Sequence, residues 1–195
     1  MKNKRIVFLI ILIILIAIGL IIFFSNNGTK NFKIGNNTSS QEIVDYILNI
    51  NSYEAILEVD IKSNKNENKY KIKQVYNGKD NNSQEVLEPS NIAGVKLIKE
   101  GTYLKLENSN LNLTNILQNY EYISDNVLDL SSFIEDYKNN SNSKWEEKND
   151  KILMKTSNRT LYINRENSLP EKMEIHDNGK NTAIYILYNE VNVNS

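Results

Sequence analysis

The side chains that most often carry chemistry are scarce in this chain. Its 195 residues include one histidine, His176, and no cysteine. A zinc site needs three or four ligands, drawn mainly from histidine, cysteine and carboxylates. The lack of cysteine also excludes a disulfide, a thiolate nucleophile and a lipid-modified cysteine. We therefore expect no metal, no cofactor and no covalent catalysis by a thiol.

The acidic residues are poorly spaced for catalysis. His176 precedes Asp177 at the end of a predicted hairpin, where we expect its side chain to be solvated. A catalytic triad would also need a third group, which the neighbouring sequence does not supply. Glu135–Asp136 and Glu146–Glu147 are neighbours, and neighbouring side chains point to opposite faces of a strand or diverge by about 100° on a helix. No phosphate-binding loop, nucleophile elbow or dinucleotide-binding motif occurs. The sequence predicts a protein that is not an enzyme.

A long apolar segment near the N-terminus predicts where the rest of the chain is delivered. Residues 6–24 are apolar apart from Gly19, and as a helix they would extend roughly 28 Å, close to the ~30 Å of a bilayer core. Bulky residues occupy 21–24, where a signal peptidase needs small ones. We expect a retained transmembrane anchor, with a cleaved signal peptide as the alternative. Basic residues before the anchor place that end in the cytoplasm and the remainder outside.

Four segments follow from this pattern. They are a short cytoplasmic N-terminus at 1–5, the anchor at 6–24, a flexible linker at 25–38 and an exported domain at 39–195. With only five residues ahead of the anchor, we expect a tethered module rather than a sensor with a cytoplasmic output domain. Twenty-three basic and 24 acidic residues nearly balance, and no basic stripe of the kind that binds nucleic acid is present.

Two helices and a series of short strands are predicted beyond the linker. SSQE at 39–42 fits a capping box, and the apolar spacing after it predicts a helix over 40–50. A second helix is predicted over 131–139, with Ser132 and Glu135 as its capping box. An Asn-Gly pair predicts a type I′ hairpin turn before the last strand. Alternating residues predict about nine or ten antiparallel strands, in the segments 52–63, 68–78, 84–88, 94–99, 102–107, 144–148, 151–157, 159–165, 171–177 and 181–194.

One-sided alternation over so many strands predicts a sheet with one apolar face. Because two short helices cannot cover a large flat sheet, the predicted fold is mainly β with two or more helices: a strongly curved antiparallel sheet, an open half-barrel, behind the transmembrane helix. Either ordinary core packing or a cavity for a lipid or a partner's side chain would explain the apolar concave face. The residues predicted there are Leu57, Val59, Ile61, Ile72, Leu104, Leu106, Ile152, Met154, Leu161, Ile163, Met173, Ile175, Ile184, Ile186 and Tyr188.

Aromatic residues on the outward phase of the strands suggest a second kind of site. Tyr103, Tyr162 and Tyr185 fall on that phase, and tyrosine is enriched in protein interfaces. Singly scattered exposed aromatics are also ordinary, so a partner surface and a plain solvated face are both open. The only tryptophan, Trp145, starts a strand and is predicted to anchor the core or its rim.

Two stretches, within 71–108 and 160–194, resemble a known superfamily. They are similar to the Lol-type lipoprotein carriers, in the Gram-positive branch, and most of all to the clostridial spore germination lipoproteins called GerS. The resemblance covers 50–192, nearly the whole exported domain. The matching features, in order, are Gln74 and Tyr76, Leu87-Glu88-Pro89, Asn91-Ile92, Gly94, Gly101, Leu169-Pro170, the Asn-Gly hairpin and Val191-Asn192.

What this resemblance implies is a curved antiparallel sheet around helices, and two candidate functions. GerS-like members are implied to be non-enzymatic partners of a cell-wall amidase in spore cortex modification, which makes a zinc-dependent N-acetylmuramoyl-L-alanine amidase of a sporulating Firmicute the expected partner. Carriers instead hold acyl chains, so a lipid- or lipoprotein-binding chaperone is the alternative. The chain departs from the germination family in lacking the lipobox cysteine. The predicted transmembrane segment replaces the lipid as an anchor.

Overall fold

The computed structural model describes residues 38–78, 81–118, 127–176 and 182–193. The predicted anchor and nearly all of the predicted linker lie outside these residues, as does the Asn-Gly turn. In the part of the chain that is described, no helix has the length and apolarity needed to cross a bilayer.

Two helices and eleven strands form the described domain. The helices are α1 (Ser40–Leu48) and α2 (Leu130–Asn139). The strands are β1 (Ser52–Lys62), β2 (Glu67–Asn77), β3 (Asn81–Glu88), β4 (Val95–Glu100), β5 (Tyr103–Asn108), β6 (Leu113–Gln118), β7 (Lys144–Lys148), β8 (Lys151–Lys155), β9 (Arg159–Asn164), β10 (Pro170–His176) and β11 (Ala183–Val193).

All eleven strands belong to one sheet. Its order is β6-β5-β4-β3-β2-β1-β11-β10-β9-β8-β7, and the paired strands are antiparallel. Two meanders, β1–β6 and β7–β11, meet where β1 pairs with β11. The sheet is not closed into a barrel, because β6 and β7 remain as separate edges. The prediction of a mainly β, antiparallel fold with helices is confirmed, with β6 as a strand that the sequence pattern missed.

Helix α1 begins as its sequence predicts. The Ser39 hydroxyl accepts a hydrogen bond from the Glu42 amide at 3.3 Å, and the Glu42 carboxylate accepts one from the Ser39 amide at 2.8 Å. This capping box satisfies backbone donors that the helix itself cannot pair. The hydrogen bond from the Ser39 amide lowers the pKa of Glu42. The helix ends at Leu48, two residues before the predicted end.

Helix α2 begins differently from the prediction. Its N-cap is Asp129, whose side chain makes no capping hydrogen bond, so the predicted capping box of Ser132 and Glu135 is wrong. Ser132 lies inside the first turn, and its hydroxyl accepts a hydrogen bond from Arg159 Nη1 at 3.1 Å. Arg159 also contacts the Asp136 carboxylate at 3.0 Å. These contacts attach α2 to strand β9.

Both helices pack on the same face of the sheet, which we call the helix-covered face; the opposite one is the outer face. The core combines Ile43 and Ile47 of α1 and Phe133 of α2 with side chains of β1, β2 and β8–β11. Among the described residues, none of β3, β4, β5 or β6 belongs to this core. The two described helices therefore pack on β1, β2 and β8–β11, and neither contributes to a core shared with β3–β6.

Candidate functional site

The residues predicted on the apolar face differ in how far their side chains are buried. Ile61 and Ile184 are half-buried. Leu106, on β5, is 44 % exposed, and its place in an apolar binding face stays a prediction. The remaining predicted residues are buried: Leu57, Val59, Ile72, Leu104, Ile152, Met154, Leu161, Ile163, Met173, Ile175, Ile186 and Tyr188.

The helices occupy the space in front of these buried residues. Ile43, Ile47, Leu130 and Phe133 each have no exposed surface and join the same core as the strand residues behind them. Fully buried side chains that pack together in this way leave little room for a further apolar chain. Over β1 and β8–β11 the apolar face is therefore core.

A hollow of about 480 Å³ lies beside α2 on this face, and its lining is largely polar. Asp129, at the start of α2, accepts a hydrogen bond from the Gln84 side chain. Burial raises the pKa of the Asp129 carboxyl to about 6. The hollow is lined by Ile50, Tyr76, Asn82, Lys99, Asp129, Ser131, Ser132, Ile134, Glu135, Lys138 and Asn139.

A buried polar network continues from this hollow into the core. Gln74, which is 1 % exposed, accepts a hydrogen bond from the Tyr53 hydroxyl at 3.3 Å and donates one to the Leu128 carbonyl at 3.2 Å. Burial raises the pKa of both Tyr53 and Tyr188, and the nearby Asp129 charge raises them further. Buried polar groups of this kind need hydrogen-bond partners, so this part of the face suits polar contacts better than an acyl chain.

On the outer face, two of the three predicted tyrosines lie together. The Lys172 ammonium is 5.5 Å from the ring centre of Tyr162 and 5.3 Å from that of Tyr185. Glu174 accepts a hydrogen bond from the Tyr162 hydroxyl at 3.0 Å and contacts Lys172 at 2.6 Å. We call Tyr162, Lys172, Glu174 and Tyr185 the tyrosine–lysine patch. Its contacts run across three adjacent strands, β9, β10 and β11.

The patch also perturbs the ionisation of its members. Burial raises the pKa of the Tyr162 hydroxyl, and its hydrogen bond to Glu174 adds to the rise. Burial alone would raise the pKa of Glu174, but the hydrogen bonds from Lys172 and Tyr162 outweigh it and lower that pKa. Glu174 is therefore held ionised between a cation and a hydroxyl donor.

A hollow of about 590 Å³ adjoins the patch. Tyr185 and Lys172 line it, with Leu187, which is 44 % exposed. Lys62 lies on the other side of Tyr185, 5.7 Å from the ring centre, and pairs with Asp60 at 3.3 Å. Aromatic residues are enriched in protein-binding surfaces, which have a polar rim.

Tyr103 is not part of this patch. It is 50 % exposed on β5, and five strand-to-strand steps separate β5 from β11 in the sheet. At about 4.8 Å for each step, the path along the sheet between the two strands is roughly 24 Å. The predicted surface of three tyrosines is therefore two separate regions, because the phase of a strand predicts its face but not its neighbours.

The candidate catalytic groups lie apart from one another. His176 is exposed at the end of β10, with its Nε2 atom 3.8 Å from Glu174, and Asp177 lies outside the described residues. Glu146 pairs with Lys155, and Glu147 with Arg165 across the other face of β7. Within 38–78, 81–118, 127–176 and 182–193, no group of three or more histidine and carboxylate side chains is placed to hold a metal ion.

Sequence reasoning missed the buried polar network and the exposed Leu187. Gln74 carried a usable signal, because it occupies the buried phase of β2 beside Ile72. A polar residue on an apolar phase indicates a buried hydrogen-bond partner. Asp129 carried no such signal, because it lies before the start of α2 and its burial depends on contacts from β3.

The described fold is an open antiparallel sheet with two helices on one face. The chain belongs to the YdcC-like sporulation proteins, whose family model matches residues 2–195. The resemblance predicted from the sequence is confirmed. No curated protein matches the chain.

Three solved structures are similar to this chain. An uncharacterized conserved protein of Thermus thermophilus is 12% identical with a TM-score of 0.50, and the match covers 80% of this chain and 88% of that chain. A LolA superfamily protein of Nitrosomonas europaea is 12% identical with a TM-score of 0.43, covering 81% and 94%. A chain in the structure of the Clostridioides difficile CwlD amidase in complex with the GerS lipoprotein is 21% identical with a TM-score of 0.43, covering 82% and 95%.

Proposed function

We propose that the chain is a non-enzymatic, membrane-anchored and extracytoplasmic module of sporulation that binds a protein through its outer face. The tyrosine–lysine patch and the hollow beside it form the contact surface. Residues 6–24 hold the module at the membrane, with the N-terminus in the cytoplasm. Membership of the YdcC-like sporulation proteins supports the cellular process.

The single observation that carries this proposal is that the helix-covered face is filled over β1 and β8–β11. Phe133, Ile43 and Ile47 occupy the space in front of the strands, so the face that a lipid carrier would use is core. The outer face keeps ordered aromatic and charged groups at the surface. Tyrosine in such a setting provides large contact area at low entropic cost.

The partner class comes from the sequence resemblance. GerS-like proteins are implied to assist a cell-wall amidase, and a zinc-dependent N-acetylmuramoyl-L-alanine amidase is the partner proposed here. The metal would belong to the amidase. This chain would supply binding surface and tethering to the membrane.

A lipid- or lipoprotein-binding chaperone is the alternative, and one observation favours it. On β5 and β6, the side chains of Leu106, Leu113 and Leu117 lie on the same face of the sheet as the helices and are 44 %, 60 % and 39 % exposed. An acyl chain could lie there. The adjoining hollow is largely polar and contains the Asp129 carboxyl, which opposes a continuous acyl pocket, so we rank this function second.

Titration of the full chain in detergent tests the two functions side by side. The ligands are the sporulation amidase of the same organism and a fluorescent fatty acid. We expect saturable amidase binding, weakened at least ~30-fold by the double variant Tyr162→Ala, Tyr185→Ala, because one interface hot spot is worth about 2 kcal/mol. Tyr103→Ala, five strands away, is the matched control and should leave the affinity unchanged.

Three other outcomes would overturn the proposal. Saturable fatty-acid binding without amidase binding would establish the lipid chaperone in its place. Amidase binding that the double variant leaves intact would remove the patch from the interface. Binding of neither ligand would reject both functions.

A further inference from the structure

The two edges of the sheet are chemically opposite. At one edge, β6 has the sequence LTNILQ, and every residue of it is exposed. Leu113 and Ile116 are 60 % and 56 % exposed, on opposite faces of the strand. No charged residue occurs between Glu107 and Glu121. An uncharged apolar edge strand is an open template for pairing with another strand.

The other edge, β7, carries the features that prevent such pairing. Its sequence is KWEEK, with four charged residues out of five. Glu146 pairs with Lys155 at 2.6 Å, and Glu147 contacts Arg165 and accepts a hydrogen bond from the Ser40 hydroxyl at 2.6 Å. Charged side chains block edge-to-edge association in natural sheets. Of the two edges in the described part of the chain, only β7 carries these protective charges, and their absence from the six residues of β6 is specific to that strand.

We infer that β6 is a self-association surface, at which a second copy of this chain adds its own β6 in antiparallel orientation. Centred on Asn115, the two strands place Leu113 opposite Leu117 of the second copy and Thr114 opposite Ile116. Directly opposite residues lie on the same face of a sheet. This register therefore matches apolar with apolar groups on one face and β-branched groups on the other.

At the centre of this register, Asn115 lies opposite the same residue of the second copy. An amide side chain both donates and accepts hydrogen bonds, so two of them can pair across a two-fold axis. The same operation centred on Glu146 of β7 would place that carboxylate opposite itself, and Lys144 opposite Lys148. Like charges directly opposite destabilise a strand pair. Only one of the two edges is self-complementary.

This surface is separate from the tyrosine–lysine patch. β6 and β11 are six steps apart in the sheet, so a partner at the patch and a second copy at β6 would not compete. The inference does not rest on the proposed function. A membrane-anchored dimer would present two patches to its partner.

Cysteine cross-linking in the full chain tests the inference, because the native sequence has no cysteine. Asn115→Cys places a thiol opposite its own copy, within the ~4.5–5.5 Å between Cβ atoms of directly opposed residues. Glu146→Cys, at the centre of β7, is the matched control. Under mild oxidation in membranes we expect at least ~10-fold more disulfide-linked dimer from Asn115→Cys. Equal yields from both variants, or none from Asn115→Cys, would overturn the inference.

A charge swap at the same position tests the register. Two differently tagged full-length copies should co-purify as wild type, and Asn115→Lys in both copies should abolish this, because like charges then face each other. Pairing Asn115→Lys with Asn115→Glu should restore it. Co-purification that survives Asn115→Lys in both copies would show that the contact lies elsewhere. Loss without rescue by the opposite charges would reject the register.

Discussion

The two parts of the sheet differ in how far their side chains are buried, although alternation predicted strands in both. Strands β1, β2 and β8–β11 form the helix-packed part, in which Ile186 and Leu161 have no exposed surface. Strands β3–β6, which contribute no described residue to the core cluster, form the open part: Leu106 and Leu113 keep about half of their surface, at 44 % and 60 %, although Leu104 is buried. Alternation therefore predicts the face on which a side chain lies but not whether that face is covered.

The largest expected effect is that of a charge in the helix-packed part. Ile186→Asp places a carboxylate between Val59 and Met173, its neighbours on the adjoining strands. Burying an unpaired charge costs several kcal/mol, so we expect fragment 38–195 to unfold at much lower denaturant or not to fold. Denaturant titration followed by the fluorescence of the single tryptophan, Trp145, measures this.

Leu187→Asp is the matched control, because Leu187 is the next residue on the opposite face and is 44 % exposed. Its midpoint should move by less than the equivalent of about 1 kcal/mol. Similar midpoints for both variants would contradict this, because they would mean that the two faces of β11 are equally covered.

The second largest effect is expected when a helix side chain that covers the helix-packed part is removed. Phe133→Ala leaves a cavity where the ring lies 6.0 Å from Tyr137 and 5.9 Å from the Arg159 guanidinium. Loss of a fully buried phenylalanine costs about 3–5 kcal/mol. The same denaturant titration applies. A loss below about 1 kcal/mol would show that α2 contributes little to covering the sheet.

The third effect lies at the boundary between the two parts and depends on pH. The pKa of Asp129 is raised by burial from 3.8 to about 6, so the folded state binds its proton more tightly than the unfolded state. The stability from this group is complete below about pH 4 and is lost as pH rises through about 6. Asp129→Asn removes the titration and keeps an acceptor for the Gln84 side chain.

The free energy of unfolding of Asp129→Asn should therefore rise relative to that of the wild type as pH rises, by about 1–3 kcal/mol between pH 4 and pH 7. Denaturant midpoints at the two pH values measure this difference. A constant difference in the free energy of unfolding would mean that the carboxyl titrates outside this window. A wild type that becomes more stable than the variant as pH rises would mean that folding lowers the pKa of Asp129.

The smallest effect is expected in the open part. Leu106→Ser changes an exposed side chain on the same phase as buried residues, so the free energy of unfolding should fall by no more than about 0.5 kcal/mol. Leu161→Ser, fully buried on β9, is the comparison and should cost several times more. A loss above about 2 kcal/mol for Leu106→Ser would show that this face is covered in solution.

Much of the fold could be read from the sequence, because local rules act over a few residues. The capping box of Ser39 and Glu42 predicts the start of α1, and the turn at Gly101 between β4 and β5 needs the positive φ of 57° that glycine adopts freely. Strand β6 was missed because Leu113, Ile116 and Leu117 put apolar groups on both phases of the strand. Without a buried face, a strand carries no clear period of two.

The candidate site was only partly predictable. The outward phase of Tyr162 and Tyr185 follows from alternation, and so does that of Tyr103. Their separation into two regions depends on the strand order, in which β11 lies beside β1 and far from β5. A pairing between the first and the last strand joins distant parts of the chain, and no local pattern encodes it.

What the sequence by itself determined is the class of fold, the phase of most strands and the scarcity of groups for catalysis, since these depend on residue type and on spacing within single elements. The tertiary structure alone decided which half of the sheet the helices cover, that Asp129 and Gln74 lie in a polar network, and that one sheet edge is charged while the other is bare. Burial and strand adjacency arise from contacts between residues far apart in the chain, and such contacts leave no fixed spacing in the sequence.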